Sequence, residues 1–449
     1  MRIAFVSTTL SGLPAEYQGS HAAEEPLDLL YAIAACEPSF ECELIDVWAD
    51  DPAPRLAGID AVVFSTTNSY LQWNNHPLGL GLFERAWNRV AEALEPGSPP
   101  VRVVLGPHVP AHWRELYAMG ADAVILGEAE LQVPVVLRAL LSGQSPAGIP
   151  GYLDPHSRTR SAPARVDDLD ALCRPAWEHT VAGLYCAHNH LDSTQLGHLY
   201  EASRGCPYQC SYCNTITHRR AFRAKSPAKV ERELGHLATM SARRYVYFID
   251  ESFGFRDPWV EDLMPRLEAL PFQYGCQGNL RFSSRAKLDA MAKAGFVDVE
   301  FGFETGDAGL LRTVGKDNRL DDAAEIIEHA AAVGLNPLLF VLLGLPGEDH
   351  HSLRRTFEFL RRLPPAVRIS VGMPTPYQET ELHRIGVATG VLGRERGADL
   401  YRFTGTIGHE LHFAPPERQR FASDYGPNNF LVPAFVDRLE HDAMRMFRS

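Results

Sequence analysis

The sequence predicts an α/β protein with two successive parallel-sheet domains, and three observations support that prediction. Short apolar strands alternate with amphipathic helices, a Pro- and Gly-rich stretch interrupts this alternation once, and a second strand–helix series follows. Apolar runs separated by helices are typical of a parallel sheet covered on both faces. We therefore expect a Rossmann-like, doubly wound domain over 1–142, a linker over 143–197, a (β/α)6 partial barrel over 198–375 and a C-terminal cap over 376–449.

The first series consists of short, largely β-branched runs bounded by turn residues. Its predicted strands are Arg2–Ser7, Glu41–Val47, Asp60–Ser65, Val101–Leu105 and Asp122–Leu126. A helix is predicted at Leu27–Ala35, between the first two strands. A doubly wound sheet of this kind binds its ligand in the crevice at the carboxyl ends of the strands.

The second series follows a stretch of prolines and glycines that lacks regular periodicity. Its predicted strands are His198–Ser203, Arg244–Ile249, Phe272–Gln277, Asp298–Phe303, Pro337–Leu343 and Val367–Gly372. The intervening stretches Pro227–Ser241 and Asp321–Val333 have helical periodicity. Six such units suit a partial barrel, in which the chemistry takes place at the carboxyl ends of the strands.

Composition and charge exclude several classes of partner. The 449 residues carry a net charge of −13, which disfavours nucleic acid and anionic membranes and suits a cationic or polar small molecule. No apolar run approaches the ~18–20 residues of a membrane span. The first residues read as a strand rather than a signal peptide, so we expect a cytoplasmic protein.

Three of the eight cysteines lie close together, just after the first strand of the second series. Cys206, Cys210 and Cys213 are separated by three and then two residues on a loop with Gly205 and Pro207. Soft thiolates select zinc, cuprous copper or iron–sulfur clusters. On a four-iron cubane, three cysteines leave one iron open to a substrate or cosubstrate. The alternative is a structural Cys₃His zinc site completed by His218.

At these residues the chain resembles the radical S-adenosylmethionine (radical SAM) enzymes. The CxxxCxxC spacing, with the aromatic Tyr212 before the third cysteine, is highly specific at the start of a βα barrel. The resemblance covers roughly residues 199–375. It continues through the segments Tyr247–Phe253, Phe301–Gly306 and Leu342–Glu348, which look like the second, fourth and fifth strand segments of the family.

The resemblance implies a 4Fe–4S cluster and SAM as cosubstrate, which the cluster reductively cleaves to a 5′-deoxyadenosyl radical. It makes Cys206, Cys210 and Cys213 the cluster ligands and Tyr212 part of the cofactor site. It also assigns roles at the strand ends: Asp250, Glu251 and Glu304 hold SAM or substrate and include the catalytic carboxylate, Arg281 or Lys316 pairs with the SAM carboxylate, and Gly344–Leu345 lies against adenine. A flavodoxin or ferredoxin is the implied electron donor.

The first domain resembles the cobalamin-binding domain that precedes such barrels in many radical SAM enzymes. Leu105-Gly106-Pro107-His108 stands where a Gly-Gly-Pro turn is usual, and Gly127-Glu128-Ala129-Glu130 where Gly-Glu-Gly-Glu is usual. The loop after the third strand carries bulky Tyr70, Gln72 and Trp73, and an Asp-x-His-x-x-Gly signature is absent. Each lost glycine adds a Cβ where a cofactor would approach closely. The resemblance therefore predicts this fold and leaves bound cobalamin open.

Two reactions follow from the resemblance. The preferred expectation is radical dehydration of a diol in an aminosugar such as paromamine, in aminoglycoside antibiotic biosynthesis. A carboxylate then removes a proton, and an NADPH-dependent reductase acts on the product. The alternative is a cobalamin-dependent C-methyltransferase of a natural-product intermediate. A non-enzymatic role, with a structural or redox-sensing cluster, is the third hypothesis.

Overall fold

The computed structural model describes residues 1–7, 25–47, 51–66, 79–94, 100–157, 159–180, 187–188, 196–213, 221–316, 318–372, 374, 380–388 and 433–446. The chain divides into two compact units, residues 1–187 and 188–449. Among the described residues, no helix has the length and apolar character needed to cross a bilayer.

The first unit contains a five-stranded parallel sheet with the order β2-β1-β3-β4-β5. Its strands are β1 (Arg2–Ser7), β2 (Glu41–Asp46), β3 (Ala61–Ser65), β4 (Val101–Leu105) and β5 (Ala123–Val124). Its helices are α1 (Leu27–Cys36), α2 (Pro52–Leu56), α3 (Gly79–Ala93), α4 (Val109–Ala118) and α5 (Val133–Leu141). The predicted doubly wound, Rossmann-like sheet is confirmed, with its switch point between β1 and β3.

Burial explains why these short runs form strands. All five residues of β3 are buried, and its Phe64 ring lies against Phe83 and Trp87 of α3, with centroids 5.9 and 4.9 Å away. Apolar residues from all five strands belong to the same core, and Leu153 of a later loop joins it. A strand that packs on helices from both faces has no solvent-facing side, which is why the apolar runs are continuous rather than alternating.

The predicted linker differs from the structure, because its described part up to residue 180 belongs to the first compact unit. Isolated β-bridges join Ile125 to Tyr152 and Gly127 to Ala164. Farther along, the Ala176 amide donates to the Leu30 carbonyl at 3.2 Å, and Trp177 is fully buried. Prolines and glycines end regular elements without preventing a segment from packing, so composition alone suggested a spacer.

The second unit contains a seven-stranded sheet with the order β14-β13-β12-β11-β10-β7-β6, in which β7 and β10 to β14 are parallel. These strands are β6 (Ala187–His188), β7 (Leu196–Tyr200), β10 (Tyr245–Phe248), β11 (Gln273–Gly278), β12 (Phe296–Glu304), β13 (Pro337–Leu342) and β14 (Arg368–Gly372). A separate antiparallel pair, β8 (Ser203–Arg204) and β9 (Arg223–Ala224), follows β7 and was not predicted. The six parallel strands confirm the predicted strand–helix series.

Helices follow the parallel strands in turn. They are α6 (Pro227–Met240), α7 (Asp257–Glu268), α8 (Arg285–Lys293), α9 (Ala308–Thr313), α10 (Leu320–Ala332), α11 (His350–Arg362), α12 (Glu381–Ala388) and α13 (Pro433–Met446). α13 packs on α11, where Arg361 Nε donates to Asp437 Oδ1 at 3.0 Å. Most of the predicted cap over 376–449 lies outside the described residues.

The two faces of the second sheet have different chemistry. On the face toward the helices, Phe248 contacts Tyr274 and Phe296, and Tyr274 donates a hydrogen bond to the Leu267 carbonyl of α7. The opposite face carries Tyr245 and Tyr247 of β10, which donate to Asp298 and Glu300 of β12. Because side chains alternate along a strand, one face supplies the apolar core and the other is left for polar groups.

Candidate functional site

The three clustered cysteines lie on a loop that leaves the carboxyl end of the β7 strand and is tied down along its length. Gly205 has a positive φ of 85° and donates its amide to Glu251 Oε2 at 2.8 Å. The Ser211 amide donates to the Val314 carbonyl at 2.9 Å, and the Ser211 carbonyl accepts from the Leu382 amide at 2.8 Å. The loop therefore has contacts to residues that follow β10 and α9 and to the start of α12.

The thiols lie close enough to interact electrostatically. The pKa of Cys206 is raised to about 12 and that of Cys210 to about 11, mainly by burial, and Cys213 acts in the same direction on both. The Lys316 ammonium acts in the opposite direction on Cys210. Thiols in such a setting stay protonated until a metal displaces the proton, so ligand formation here is coupled to metal binding.

Soft thiolates fit an iron–sulfur cluster or a zinc ion. Thiolates on a cubane each bind a different iron, so three of them hold a four-iron cluster and leave one iron open. The residue of the zinc alternative, His218, lies outside the described residues.

Beside Cys210 lies an ion pair between Glu304 and Lys316. Lys316 Nζ is 2.5 Å from Glu304 Oε1, and Glu304 itself has a left-handed φ of 67° at a register shift in β12. A Cβ on Gly302 would lie 2.3 Å from Lys316 Nζ, so a larger residue here would displace the ends of the paired side chains. Burial lowers the pKa of Lys316, but the Glu304 carboxylate and nearby thiolates outweigh it and the net direction is upward. The Lys316 ammonium is therefore held in its charged form.

Tyr212 joins this group. Burial raises the pKa of the Tyr212 phenol well above its usual range, and the neighbouring Glu304 carboxylate, with which it shares a hydrogen bond, adds to the effect. The structure thus brings together Tyr212, Glu304 and Lys316, three of the residues predicted to contact the cofactor or substrate.

Asp250 lies at the carboxyl end of β10 and is fully buried. Its Oδ2 accepts the Ala202 amide at 3.0 Å, and its Oδ1 accepts a short hydrogen bond from Ser203 Oγ. Burial raises the pKa of Asp250 to about 7, although both hydrogen bonds lower it. Because both oxygens are engaged by the start of the cysteine loop, Asp250 positions that loop, whereas the sequence predicted a carboxylate that contacts SAM or substrate.

The other predicted residues have separate positions around the loop. Glu251 is half-buried and accepts from the Gly205 amide, next to Cys206. Arg281 is exposed, and its Cζ lies 5.7 Å from the ring centroid of Tyr208. The structure does not place Arg281 within the Glu304–Lys316 group.

Gly344 and Leu345 form the loop after β13. Gly344 has a φ of 93°, and its amide donates a short hydrogen bond to Glu348 Oε2. Burial raises the pKa of Glu348 to about 7, against the hydrogen bonds from the Gly344 and Leu345 amides. The Glu348 carboxylate therefore holds this loop through the Gly344 and Leu345 amides, a role that the sequence motif alone did not reveal.

Sequence reasoning also missed a set of buried polar pairs on one face of the second sheet. Tyr247 donates to Glu300 Oε2 at 2.8 Å, and Tyr245 donates to Asp298 Oδ2 at 3.1 Å. These pairs cross the intervening strand over Gly275, where a Cβ would lie 2.1 Å from Tyr245 Oη. The alternation of Asp298 and Glu300 along β12 was the available signal, because residues two positions apart on a strand share a face.

In the first unit, the carboxyl ends of the strands carry small or buried polar residues. A Cβ on Gly106 would lie 2.5 Å from Thr66 Oγ1, and one on Gly127 would lie 2.3 Å from the Ala164 carbonyl oxygen. Both glycines therefore serve the packing of the chain on itself. Ser65, at the end of β3, donates a short hydrogen bond to the half-buried Asp28, whose pKa is raised to about 6 by desolvation. Tyr70, Gln72 and Trp73, the bulky residues noted after the third strand, lie outside the described residues.

The fold and site define a class: an α/β protein whose second parallel sheet presents three thiols beside an ion pair at the carboxyl end of a strand. The sequence profile of the Radical SAM superfamily matches residues 200–360. This part of the chain is a radical SAM domain, and the family implies a 4Fe–4S cluster and SAM. The resemblance inferred from the cysteine loop is confirmed at this level.

Several curated relatives are named for methyl transfer. The chain is 24% identical over 390 residues to an uncharacterized methyltransferase of Pyrococcus horikoshii, covering 82% of this chain and 79% of that protein. It is 28% identical over 265 residues to an uncharacterized methyltransferase of Synechocystis, covering 57% and 45%. It is 30% identical over 169 residues to the hopanoid C-2 methylase of Rhodopseudomonas palustris, covering 36% and 32%.

Solved structures share the fold at low sequence identity. The radical SAM methyltransferase TsrM from Kitasatospora setae, with cobalamin and a 4Fe–4S cluster bound, gives a TM-score of 0.67 at 17% identity, covering 88% of this chain and 75% of that one. The cobalamin-dependent radical SAM enzyme OxsB gives 0.62 at 14% identity, covering 89% and 56%. The predicted combination of a Rossmann-like, cobalamin-binding-like sheet with a radical SAM domain is confirmed as the fold.

These comparisons change the balance between the two expected reactions. The three relatives above are named methyltransferases or a methylase. Dehydration of an aminosugar diol, the preferred expectation, has no support among them, and the alternative fits better. The sequence argument for dehydration rested in part on lost glycines at strand ends. The glycines that remain there, Gly106 and Gly127, pack against the chain itself.

Proposed function

We propose that this protein is a cobalamin-dependent radical SAM methyltransferase that methylates a carbon of a polar small molecule. The observation that carries the proposal is the sheet order β2-β1-β3-β4-β5 in the same chain as the cysteine loop. That order places a ligand crevice at the β1/β3 switch point, where the carboxyl ends of the strands bear Ser7, Ser65 and Thr66. Small residues there suit the close approach of a large planar cofactor.

The residues of the second unit divide the work as follows. Cys206, Cys210 and Cys213 hold the cluster and leave one iron open. Lys316 and Glu304, with opposite charges 2.5 Å apart beside Cys210, offer partners to the carboxylate and ammonium of an amino acid such as the methionine part of SAM. Glu251 and Asp250 fix the loop that carries the cysteines through Gly205, Ala202 and Ser203.

When bound, the cluster and SAM supply a carbon-centred radical and cobalamin supplies the methyl group. The chain's own contribution is to orient these groups and exclude water. The polar face of the second sheet is suited to that task, because Tyr247 and Glu300 form a buried, hydrogen-bonded pair on it. The Gly344–Leu345 loop, fixed by Glu348, offers backbone groups for an adenine ring.

The proposal is tested by anaerobic reconstitution with iron, sulfide and hydroxocobalamin, followed by turnover with SAM labelled in its methyl group. We expect stoichiometric retention of cobalamin in the visible spectrum. We also expect both 5′-deoxyadenosine and S-adenosylhomocysteine, because methyl transfer consumes SAM in two ways. Production of 5′-deoxyadenosine alone, with no cobalamin retained, contradicts methyl transfer and restores dehydration. Absence of SAM cleavage with any reductant supports a sensor instead.

A further inference from the structure

A continuous row of aromatic rings runs outward from the cysteine loop. Tyr208, between the first two cysteines, stacks on Phe282 with centroids 5.4 Å apart and an interplanar angle of 21°. Phe282 meets Phe255 edge-on at 4.5 Å, and Phe255 meets Phe222 at 4.9 Å. All four rings are half-buried. They therefore form a ledge that reaches the surface rather than a part of the closed core.

Two exposed arginines lie over the ends of this row. Arg281 Cζ is 5.7 Å from the centroid of Tyr208, and Arg256 Cζ is 5.6 Å from that of Phe222. We call the six residues the aromatic–arginine face: Tyr208, Phe222, Phe255, Phe282, Arg256 and Arg281. Aromatic residues and arginine are the types enriched where proteins dock, because they combine buried area with a directed charge.

Two acidic residues flank this face. Asp257, adjacent to Arg256, lies 2.7 Å from Lys287 Nζ, whereas Glu251 accepts the amide of Gly205 and keeps its charge. With Arg256, Arg281 and Lys287 the named residues carry three positive charges against two negative ones, on a chain whose net charge is −13. An acidic protein is repelled by most of such a surface and attracted to a cationic part of it, which selects its orientation on approach.

We propose that the aromatic–arginine face is the docking surface for an acidic one-electron donor protein of the flavodoxin or ferredoxin type. This inference rests on the proposed function, because it assumes that the cysteine loop holds a cluster that must be reduced. The donor loses one electron and the cluster gains it, and no atom is transferred. Tyr208 belongs both to the cysteine loop and to the face, so a donor that docks here lies beside the cluster.

The test compares Arg256→Glu with Arg354→Glu, which makes the same charge change at an exposed position of α11. Arg256 has no assigned role in holding SAM or the cluster. Binding of a bacterial flavodoxin is titrated at low and high ionic strength. SAM cleavage is then driven by flavodoxin hydroquinone or by reduced methyl viologen, a small cationic reductant that needs no docking surface.

We expect Arg256→Glu to weaken flavodoxin binding and slow flavodoxin-driven cleavage about fivefold at low salt, and high salt to remove the difference. Viologen-driven cleavage stays at the wild-type rate, and Arg354→Glu behaves as wild type in every assay. Equal effects of the two variants, or an equal loss with viologen, overturn the docking surface. If wild type cleaves no SAM with viologen, the proposed function fails, and the binding titration still decides the docking surface.

Discussion

The two units contain parallel sheets whose carboxyl edges are built from similar parts. Each has an aspartate that accepts a hydrogen bond from a serine at or just beyond a strand end: the half-buried Asp28 with Ser65 in the first unit and the buried Asp250 with Ser203 in the second. In the first unit, the neighbouring strand ends close on the chain itself, as Gly127 does on Ala164. In the second unit, the aspartate anchors a loop that carries thiols.

The difference shows where chemistry is added to a common scaffold. Asp250 binds the backbone of the cysteine loop and Asp28, on α1, binds the Ser65 side chain, so a raised pKa does not by itself identify a catalytic group. The carboxyl edge of the second sheet differs because it holds two groups of opposite charge, Lys316 and Glu304, beside the Cys210 thiol.

The largest effect is expected from removing a thiol. Cys210→Ala leaves two protein ligands for the cluster, so reductive SAM cleavage should fall to background. The exposed Cys173 provides the control, since Cys173→Ala removes a thiol that the cluster does not need. The measurement is 5′-deoxyadenosine formed under anaerobic conditions with a chemical reductant. Cleavage by Cys210→Ala at the rate of Cys173→Ala contradicts the assignment of the loop.

A large effect on stability is expected in the first unit from Gly127→Ala. The new Cβ meets the Ala164 carbonyl oxygen at 2.3 Å and the backbone φ is 94°, so we expect a loss of more than about 4 kcal/mol. Gly143→Ala is the matched control, because its φ is 73° but no atom lies within 4 Å, and it should cost about 1 kcal/mol.

Peptide-resolved hydrogen exchange measures the stability of the two units separately. The loss of protection in Gly127→Ala should be confined to peptides of residues 1–180. Equal protection in the two variants means that the contact between Gly127 and Ala164 is not formed.

A smaller effect is expected from pH. The pKa of Asp250 is about 7 in the folded chain and near 3.9 when unfolded, so the folded state holds a proton that the unfolded state releases. The stability of the second unit should therefore fall by roughly 3–4 kcal/mol as pH rises from about 4 to about 7. Asp250→Asn, which resembles the protonated form, should remove this dependence. A slope that persists in Asp250→Asn assigns it to other groups.

The smallest effect is the corresponding one in the first unit. The pKa of Asp28 is about 6, so its contribution should be lost between about pH 4 and pH 6 and amount to roughly 2–3 kcal/mol. Asp28→Asn should remove the pH dependence of hydrogen-exchange protection in the first unit over that range and leave the second unit unchanged. If the two aspartate variants remove the pH dependence of the same peptides, the two edges do not act independently.

Local patterns were sufficient to predict the strands. Arg2–Ser7, Val101–Leu105 and the six parallel strands of the second sheet were predicted closely, because each is a buried apolar run bounded by turn residues. The cysteine loop was predicted because its spacing is local. The β8–β9 pair was missed, since it joins Ser203 to Ala224 across a long segment that has no strand periodicity.

The partners of the site residues were harder to predict, because they depend on distant contacts. Asp250 and Glu304 look alike in sequence, as carboxylates at strand ends, yet one binds the backbone of Ala202 and the other pairs with Lys316. Only the register of neighbouring strands decides between these outcomes. The same holds for Tyr247 and Glu300, which meet across an intervening strand.

The central claim is that three thiolates hold a 4Fe–4S cluster with one iron open to SAM. Mössbauer spectroscopy of protein prepared anaerobically with ⁵⁷Fe tests it directly. We predict iron and sulfide in equal amounts, with one iron whose signal differs from the others and changes when SAM is added. Zinc without sulfide, or a cluster in which every iron is equivalent and indifferent to SAM, contradicts the account.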